Sequence, residues 1–251
     1  ILEVIRTSGK KIKFYQASSS EMYGRIQDRI QNENTKFYPL SPYATSKLFA
    51  YWTTINYRES YNIFACNGIL FNHESSRRGE TFVTRKITYV LSRICFGLEK
   101  SLYLGNIYSR RDWGNAQDYV EMQWRMLQQK KPDDFVISTG NQHSVKDFVN
   151  ISCKLLKIKI KWTGKGLNEK ATVIDCDQKI SPYMKKGMVI VKIDKKYFRP
   201  NDVIDLIGSS EKAKKILGWK PKKSIESLAA DMIKSDYEKI KIEYSRVKFK
   251  K

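Results

Sequence analysis

Four short apolar runs recur between longer segments of helical periodicity, and this alternation restricts the possible folds more than any other feature of the chain. The runs are "KIKFYQAS", "NIFACNGILF", "SLYLG" and "DFVIST". The second is almost continuously apolar, as strands buried on both faces of a parallel sheet are. Between them lie "YATSKLFAYWTTINYRES", "TFVTRKITYVLSRICFG", "NAQDYVEMQWRMLQQ" and "SVKDFVNISCKLL". These carry helix punctuation: Ser41-Pro42 as an entry, Asn115 as an N-cap, Ser144 with Asp147 three residues on, and Gly97 as a stop. Residues 1–8 read as the tail of a further helix. Strands alternating with helices predict an α/β fold with a mostly parallel sheet.

The pattern changes near Lys157. "IKIKWTGKG" and "GMVIVKID" read as short strands around a glycine- and lysine-rich insertion. "SSEKAKKILGWKP" and "SIESLAADMIKSDYEKIK" read as helices, the first stopped by Gly218 and Pro221. The expected division is residues 1–156, then a smaller region over 157–251.

The chain has 251 residues, 41% apolar and 12% aromatic, which suits a globular protein with a real core. No apolar run approaches the ~20 residues of a membrane-crossing helix, so no membrane partner is expected, and a cytoplasmic location is. The opening "ILEVIRTSGKK" has no initiator Met and no basic stretch leading an apolar one. It reads as the start of a fragment or processed chain without a secretory leader. Cys66, Cys95, Cys153 and Cys176 form no C-x-x-C pair, and only His73 and His143 could join them. No zinc spacing results, no metal is expected, and the cysteines are expected to be reduced core thiols.

The formal net charge of +21 raises nucleic acid as a partner. Its distribution argues otherwise. Lysines outnumber arginines 34 to 13, and 24 of the lysines lie at or after Lys154, interleaved with apolar residues. No RRM, zinc-finger or helix-turn-helix signature accompanies them. A solvated lysine-rich face, with no nucleic-acid partner but an affinity for anionic small molecules, is expected.

The chemistry concentrates in "QASSSEMYG" and "SPYATSK". The first follows a strand and gathers hydroxyls with one carboxylate, Glu21. The second opens a helix with Tyr43 and Lys47 four residues apart, hence on one face. A lysine ammonium favours phenolate, so such a tyrosine can take a proton near neutral pH. With a serine at the end of the preceding strand, the set suits oxidation of a carbinol, since sheets of this kind hold ligands beyond the carboxyl ends of their strands. By itself Y-x-x-x-K is weak and fits a surface pair on a helix. Taken singly, Glu21 fits a loop carboxylate, His73 a polar loop residue, Arg77-Arg78 a solvated pair, and "KLFAYWTTINY" a core-facing helix. The chain has no G-x-G-x-x-G or G-x-x-G-x-x-G turn to hold a pyrophosphate.

The stretches "FYQASSSEMYG", "FYPLSPYATSKLFAYW", "NGILFNHESSRRGETFVTRKI", "LYLGNIYSRRDWGNAQDYVEMQW" and "VKIDKKYFRP" resemble, in order and nearly without gaps up to about Pro221, the GDP-mannose 4,6-dehydratases of the extended short-chain dehydrogenase/reductase family. The resemblance implies a Rossmann-like, doubly wound sheet of which the C-terminal half is present. Residues 1–156 would be part of an NADP-binding domain and 157–251 mainly substrate-binding. It implies NADP as cofactor and GDP-mannose as substrate, with GDP-4-dehydro-6-deoxy-D-mannose as product, and a homo-oligomer, dimer or tetramer, in the full-length form. Tyr43 would be the base for the C4 hydroxyl. Lys47 would assist it and hold the nicotinamide ribose, Ser19 would bind the sugar hydroxyl, and Glu21 would take the C5 proton. His73 and Arg78 would contact the cofactor. Asn72, Val83, Lys86, Arg111, Arg199 and Asp202 would contact the substrate, Val83 and Lys86 on its guanosine side and the arginines as bidentate partners of its diphosphate. Ser19 stands where the family usually has threonine, Ser76 for a proline and Asp202 for a glutamate.

Two other readings stay open. A nucleotide-sugar 4-epimerase would share Tyr43 and Lys47 but needs no carboxylate at Glu21. An inactive fragment or basic binding module would explain the absent phosphate loop.

Overall fold

A computed structural model describes residues 1–198 and 205–248. In chain order it forms α1 (Leu2–Thr7), β1 (Phe14–Ser19), α2 (Pro42–Tyr61), β2 (Ala65–Leu70), β3 (Asn72–Glu74), α3 (Val83–Cys95), β4 (Leu102–Leu104), β5 (Arg110–Arg111), β6 (Trp113–Asn115) and α4 (Ala116–Leu127). There follow β7 (Phe135–Ile137), β8 (His143–Ser144), α5 (Val145–Leu155), β9 (Ile158–Thr163), β10 (Lys170–Cys176), β11 (Val189–Ile193), α6 (Glu211–Leu217) and α7 (Ile225–Lys248). The chain divides into two compact units, each made of separate stretches. One comprises Ile1–His73, Arg111–Gln142 and Val203–Lys223; the other comprises Glu74–Arg110, His143–Asp202 and Ser224–Lys251. Lys157, where the sequence pattern changes, falls inside the second.

The first unit is built on a parallel sheet in the order β1-β2-β7. β1 aligns with β2 from Phe14↔Ala65 to Ser19↔Leu70, and β7 aligns with the far end of β2 from Gly68↔Phe135 to Leu70↔Ile137. Every residue of β2 is buried, because successive side chains point to opposite faces and both are covered. On one face Cys66 and Leu70 pack with Tyr119, Met122 and Met126 of α4 and with Ala213, Leu217 and Trp219. On the other, Ile69 and Val136 pack with Met22, Tyr23, Tyr51 and Phe71. Each fully buried Ile or Phe here contributes about 1.5–3 kcal/mol of transfer free energy.

One polar residue interrupts β2, and it is fully provided for. Asn67 donates its backbone N–H and its Nδ2 to Asp134 Oδ1 at 2.8 and 3.1 Å, and its Oδ1 accepts Ser18 Oγ at 3.1 Å. Arg58 closes the network, donating to both Asp134 oxygens at 2.7 and 2.9 Å. Buried polar groups are tolerated when paired in this way. The outer edge of β7 is blunted by the Glu33 side chain, which accepts Val136 N–H at 2.8 Å.

The second unit holds a four-stranded mixed sheet in the order β4-β11-β10-β9. β11 runs parallel to β4, while β10 is antiparallel to both β11 and β9. This corrects the sequence reading: the supposed insertion contains β10, a central strand. Its "KATVIDC" alternates, with Ala171 and Val173 fully buried, and the surrounding lysines mask that period. Helices α3, α5 and α7 pack together in the same unit. Their interior contains an ion pair in which Arg85 donates to both oxygens of Asp236, joined by Thr88 Oγ1 at 2.7 Å. α5 starts with the expected capping box of Ser144 and Asp147, and Asn115 caps α4 by accepting from Gln117 N–H.

All four cysteines are free thiols, three of them buried. Burial pushes Cys66 up to about 12 and Cys95 up to about 11, so neither can serve as a thiolate nucleophile at neutral pH. Among the described residues, no helix is long and apolar enough to cross a membrane, and no group of His, Cys, Asp and Glu could hold a metal.

Candidate active site

The carboxyl end of β1 carries the first two predicted residues. Ser19 is extended, and its Oγ accepts the Glu21 N–H at 3.2 Å, capping a 3-10 turn over Ser20–Met22. A hydroxyl that accepts through a lone pair keeps its proton for another partner. Glu21 lies partly buried on this turn. The turn is anchored from below by Met22 and Tyr23, which are 0% and 1% exposed. Just beyond it, Gly24 has φ +54°, and a Cβ there would stand 1.8 Å from the Tyr38 carbonyl oxygen. Only glycine fits both that backbone angle and that approach.

The other two predicted residues open α2. Ser41 Oγ accepts Ala44 N–H at 3.1 Å and Pro42 occupies the first turn, which is how this sequence starts a helix there. Tyr43 and Lys47 follow on one face. Lys47 Nζ lies 5.7 Å from the Tyr43 ring centroid and donates to the Ala17 carbonyl at 2.9 Å. That carbonyl is two residues before Ser19 on β1, so Lys47 ties the helix start to the strand end. Tyr43 is 54% exposed, open to a ligand. The hydrogen bond to Ala17 fixes the ammonium through one of its three donors. The two remaining donors suit the hydroxyls of a ribose.

The other expected residues are placed as follows. Asn72 and His73 follow β2 on β3. His73 Nδ1 lies 3.0 Å from the Phe71 carbonyl, which assigns the proton to Nδ1, and its ring stacks on Tyr119 at 5.2 Å. Arg111 is partly buried in β5. The next residue, Asp112, is fully buried and accepts from Thr139 N–H and Oγ1 and from Gly140 N–H at 2.9, 2.6 and 2.9 Å. Burial pushes its carboxyl up to about 6, against the pull of these donors.

In the second unit, Arg78 is not a simple solvated residue. Its Nε lies 3.3 Å from buried Glu74, and its guanidinium stacks 3.7 Å over Phe82. Burial raises the Glu74 carboxyl above its ordinary range, with Arg78 and a 2.6 Å bond from Thr84 opposing. Val83 is the first residue of α3. Lys86 lies one turn later, its Nζ 3.4 Å from the centroid of the Tyr197 ring. Arg199 and Asp202 lie outside the described residues.

Tyr197 and Asp112 carry contacts that the sequence reading did not assign, although both lie in stretches singled out for neighbouring arginines. A tyrosine two places before Arg199 and an acid one place after Arg111 were the available signals.

A family model described as GDP-mannose 4,6 dehydratase matches residues 1–232. The chain is 53% identical over 243 residues to a GDP-mannose 4,6-dehydratase of Yersinia enterocolitica, covering 96% of this chain and 65% of that protein. Against one from Vibrio cholerae the identity is 55% over 240 residues, covering 95% and 64%. Against the human protein of that name it is 47% over 240 residues, covering 95% and 62%. The chain therefore spans a little under two thirds of these relatives. The structure superposes on that of RMD from Pseudomonas aeruginosa complexed with NADPH, with TM-score 0.74 and 19% identity over 95% of this chain and 71% of that one. It superposes on dTDP-glucose 4,6-dehydratase from Bacillus anthracis in complex with NAD, with TM-score 0.72 and 20% identity over 95% and 65%. These likenesses identify the fold as the expected Rossmann-like α/β type.

Proposed function

Because the chain belongs to the GDP-mannose 4,6-dehydratase family, we propose that it carries the acid–base residues of a nucleotide-sugar dehydratase acting on GDP-mannose with NADP. The observation that supports this most is the position of Lys47, beside Tyr43 and bonded to the strand that ends in Ser19.

Each residue then has a defined part. The Ser19 hydroxyl donates to the sugar and holds its C4 hydroxyl toward Tyr43, which takes the hydroxyl proton. Lys47 supports that phenolate and holds the nicotinamide ribose. When bound, NADP would supply the hydride acceptor needed at C4 and the hydride needed at C6. With C4 a ketone, the C5 proton becomes acidic; Glu21 removes it and delivers a proton to the C6 hydroxyl, which leaves as water. Tyr43 returns its proton at C5. The balance is loss of one water, with GDP-4-dehydro-6-deoxy-D-mannose as product.

Residues 1–156 serve the cofactor side in this reading and 157–251 mainly the substrate. His73 and Arg78 contact the cofactor, and Asn72, Val83, Lys86, Arg111, Arg199 and Asp202 contact the nucleotide sugar. Phe49 and Trp52, 74% and 56% exposed on α2, support a homo-oligomer, and the location is cytoplasmic. The deciding experiment is Glu21→Gln in a version extended to the relatives' length. Dehydration is expected to fall by roughly 10²–10⁴-fold, the usual worth of a general acid–base group. An unchanged rate of formation of the 4-keto sugar, or a C4 epimer as the product, would reject the dehydratase reading.

A further inference from the structure

The second unit contains a cation–aromatic pair that no assigned role explains. Lys86 is half-buried on the first turns of α3, and among the described residues its partner is an aromatic face, with Nζ 3.4 Å from the Tyr197 centroid. Burial lowers its ammonium from the ordinary lysine range, and the negative face of a ring is what supports a cation without bringing a second formal charge. The ring itself is held by the backbone. Asp194 N–H donates to the Leu104 carbonyl at 2.8 Å, continuing the β4–β11 pairing. The Asp194 side chain then caps the 3-10 turn Lys195–Tyr197 by accepting from Lys196 N–H. A Cβ on Gly105 would stand 2.3 Å from the Tyr197 carbonyl oxygen, so glycine at the end of β4 lets this turn lie against it. Lys196 flanks the same ring at 4.9 Å and is tied to Asp194 at 3.6 Å. The ring is 42% exposed, which leaves the pair open to solvent and to a ligand.

We propose that Tyr197 is a positioning residue for nucleotide recognition: its ring seats the Lys86 ammonium so that it meets the acceptor atoms of a guanine nucleotide already aligned. This rests on the reading of Lys86 as a guanosine-side contact. A seated ammonium gives up less side-chain freedom on binding than a free one, so the ring acts on affinity and leaves the chemical steps untouched.

The test is competitive acetylation of the 251-residue chain with acetic anhydride, followed by mass spectrometry. The Lys86 peptide is read against that of Lys146, which is paired with Glu169 at 2.7 Å in the same unit. In Tyr197→Leu, Lys86 is expected to acetylate about two- to five-fold faster than in the native chain, the worth of one exposed cation–π contact. Tyr197→Phe, which keeps the ring, is expected to restore the native rate. GDP is the ligand probe. It should protect Lys86 in the native chain and in Tyr197→Phe, with about two- to five-fold more GDP needed in Tyr197→Leu. Equal Lys86 rates in the native chain and Tyr197→Leu, or no rescue by phenylalanine, overturn the seating. If Lys146 also accelerates in Tyr197→Leu, the variant is unfolded and Tyr197→Trp decides: slower Lys86 acetylation supports the proposal, and an unchanged rate overturns it. If GDP leaves Lys86 unprotected in the native chain, the nucleotide reading of Lys86 fails, whatever the ring does.

Discussion

Gly24→Ala separates two costs that usually arrive together. Gly24 and Gly9 both have positive φ, +54° and +65°, so alanine at either meets the left-handed penalty, about 1–2 kcal/mol. They differ in their surroundings: a Cβ at Gly9 meets nothing within 4 Å, while one at Gly24 would lie 1.8 Å from the Tyr38 carbonyl oxygen and 3.0 Å from Pro39 Cα. Those atoms are backbone and cannot rotate away. The 24–38 contact must open, which breaks the Arg25 N–H to Tyr38 carbonyl bond of 3.0 Å. Forcing a methyl into such a site adds about 1–3 kcal/mol. Equilibrium urea unfolding is therefore expected to show a loss of about 1–2 kcal/mol for Gly9→Ala and about 2–5 kcal/mol for Gly24→Ala. Because Gly24 lies just beyond the turn that carries Glu21, only Gly24→Ala should also lower dehydration in the extended version. Equal stability losses in the two variants would refute the steric account, and a Gly24→Ala enzyme of native rate would refute the coupling to Glu21.

Three further outcomes are expected. The Asp112 carboxyl, at about 6 in the fold against an ordinary 3.8, contributes stability that is complete below pH 3.8 and is lost as pH rises toward 6. The native chain should lose up to about 3 kcal/mol relative to Asp112→Asn across that window, and parallel pH profiles of urea stability would contradict it. Arg58→Leu leaves the Asp134 carboxylate without its cation and should cost about 3 kcal/mol. Adding Asp134→Asn should cost little more, whereas fully additive losses would show the pair is not coupled. Residues 1–251 alone should bind NADP weakly and form no product, since no glycine-rich turn is present to hold a pyrophosphate. Calorimetric titration giving micromolar affinity, together with 4-keto sugar formation, would refute this.

The parts of this fold that were legible in the sequence are those decided within a turn or two of chain. Ser41-Pro42, Asn115 and the Ser144–Asp147 box mark helix starts because caps act over three or four residues. Tyr43 and Lys47 share a face because helix geometry alone puts them there. β10 was missed because "KATVIDC" sits among lysines and glycines, and its stability comes from Ala171 and Val173 packing inside a sheet whose other strands lie elsewhere in the chain. The bond from Lys47 to Ala17, the pairing of Arg58 with Asp134, and the seat of Lys86 on Tyr197 join residues 30, 76 and 111 positions apart, the last being 197 minus 86. No local periodicity encodes such partners; they exist only once β1, β2, β7, β4 and β11 have paired.

The division of the first unit among three separate stretches governs how the protein must be made. Its core is sealed late: Trp219, 1% exposed, packs with Cys66, Phe135 and Met122 and donates from Nε1 to the Asp118 carbonyl at 2.9 Å. A nascent chain that has already released β1, β2, α4 and β7 from the ribosome can cover Cys66, Leu70 and Ile137 only with Tyr119, Met122 and Met126, so the part of that face sealed by Ala213, Leu217 and Trp219 stays open until residues 213–219 emerge. At about 5–20 residues per second, the roughly 80 residues between β7 and Trp219 keep that part of the apolar face open for about 4–16 seconds, long enough for chaperones to act and for neighbouring nascent chains to associate through it.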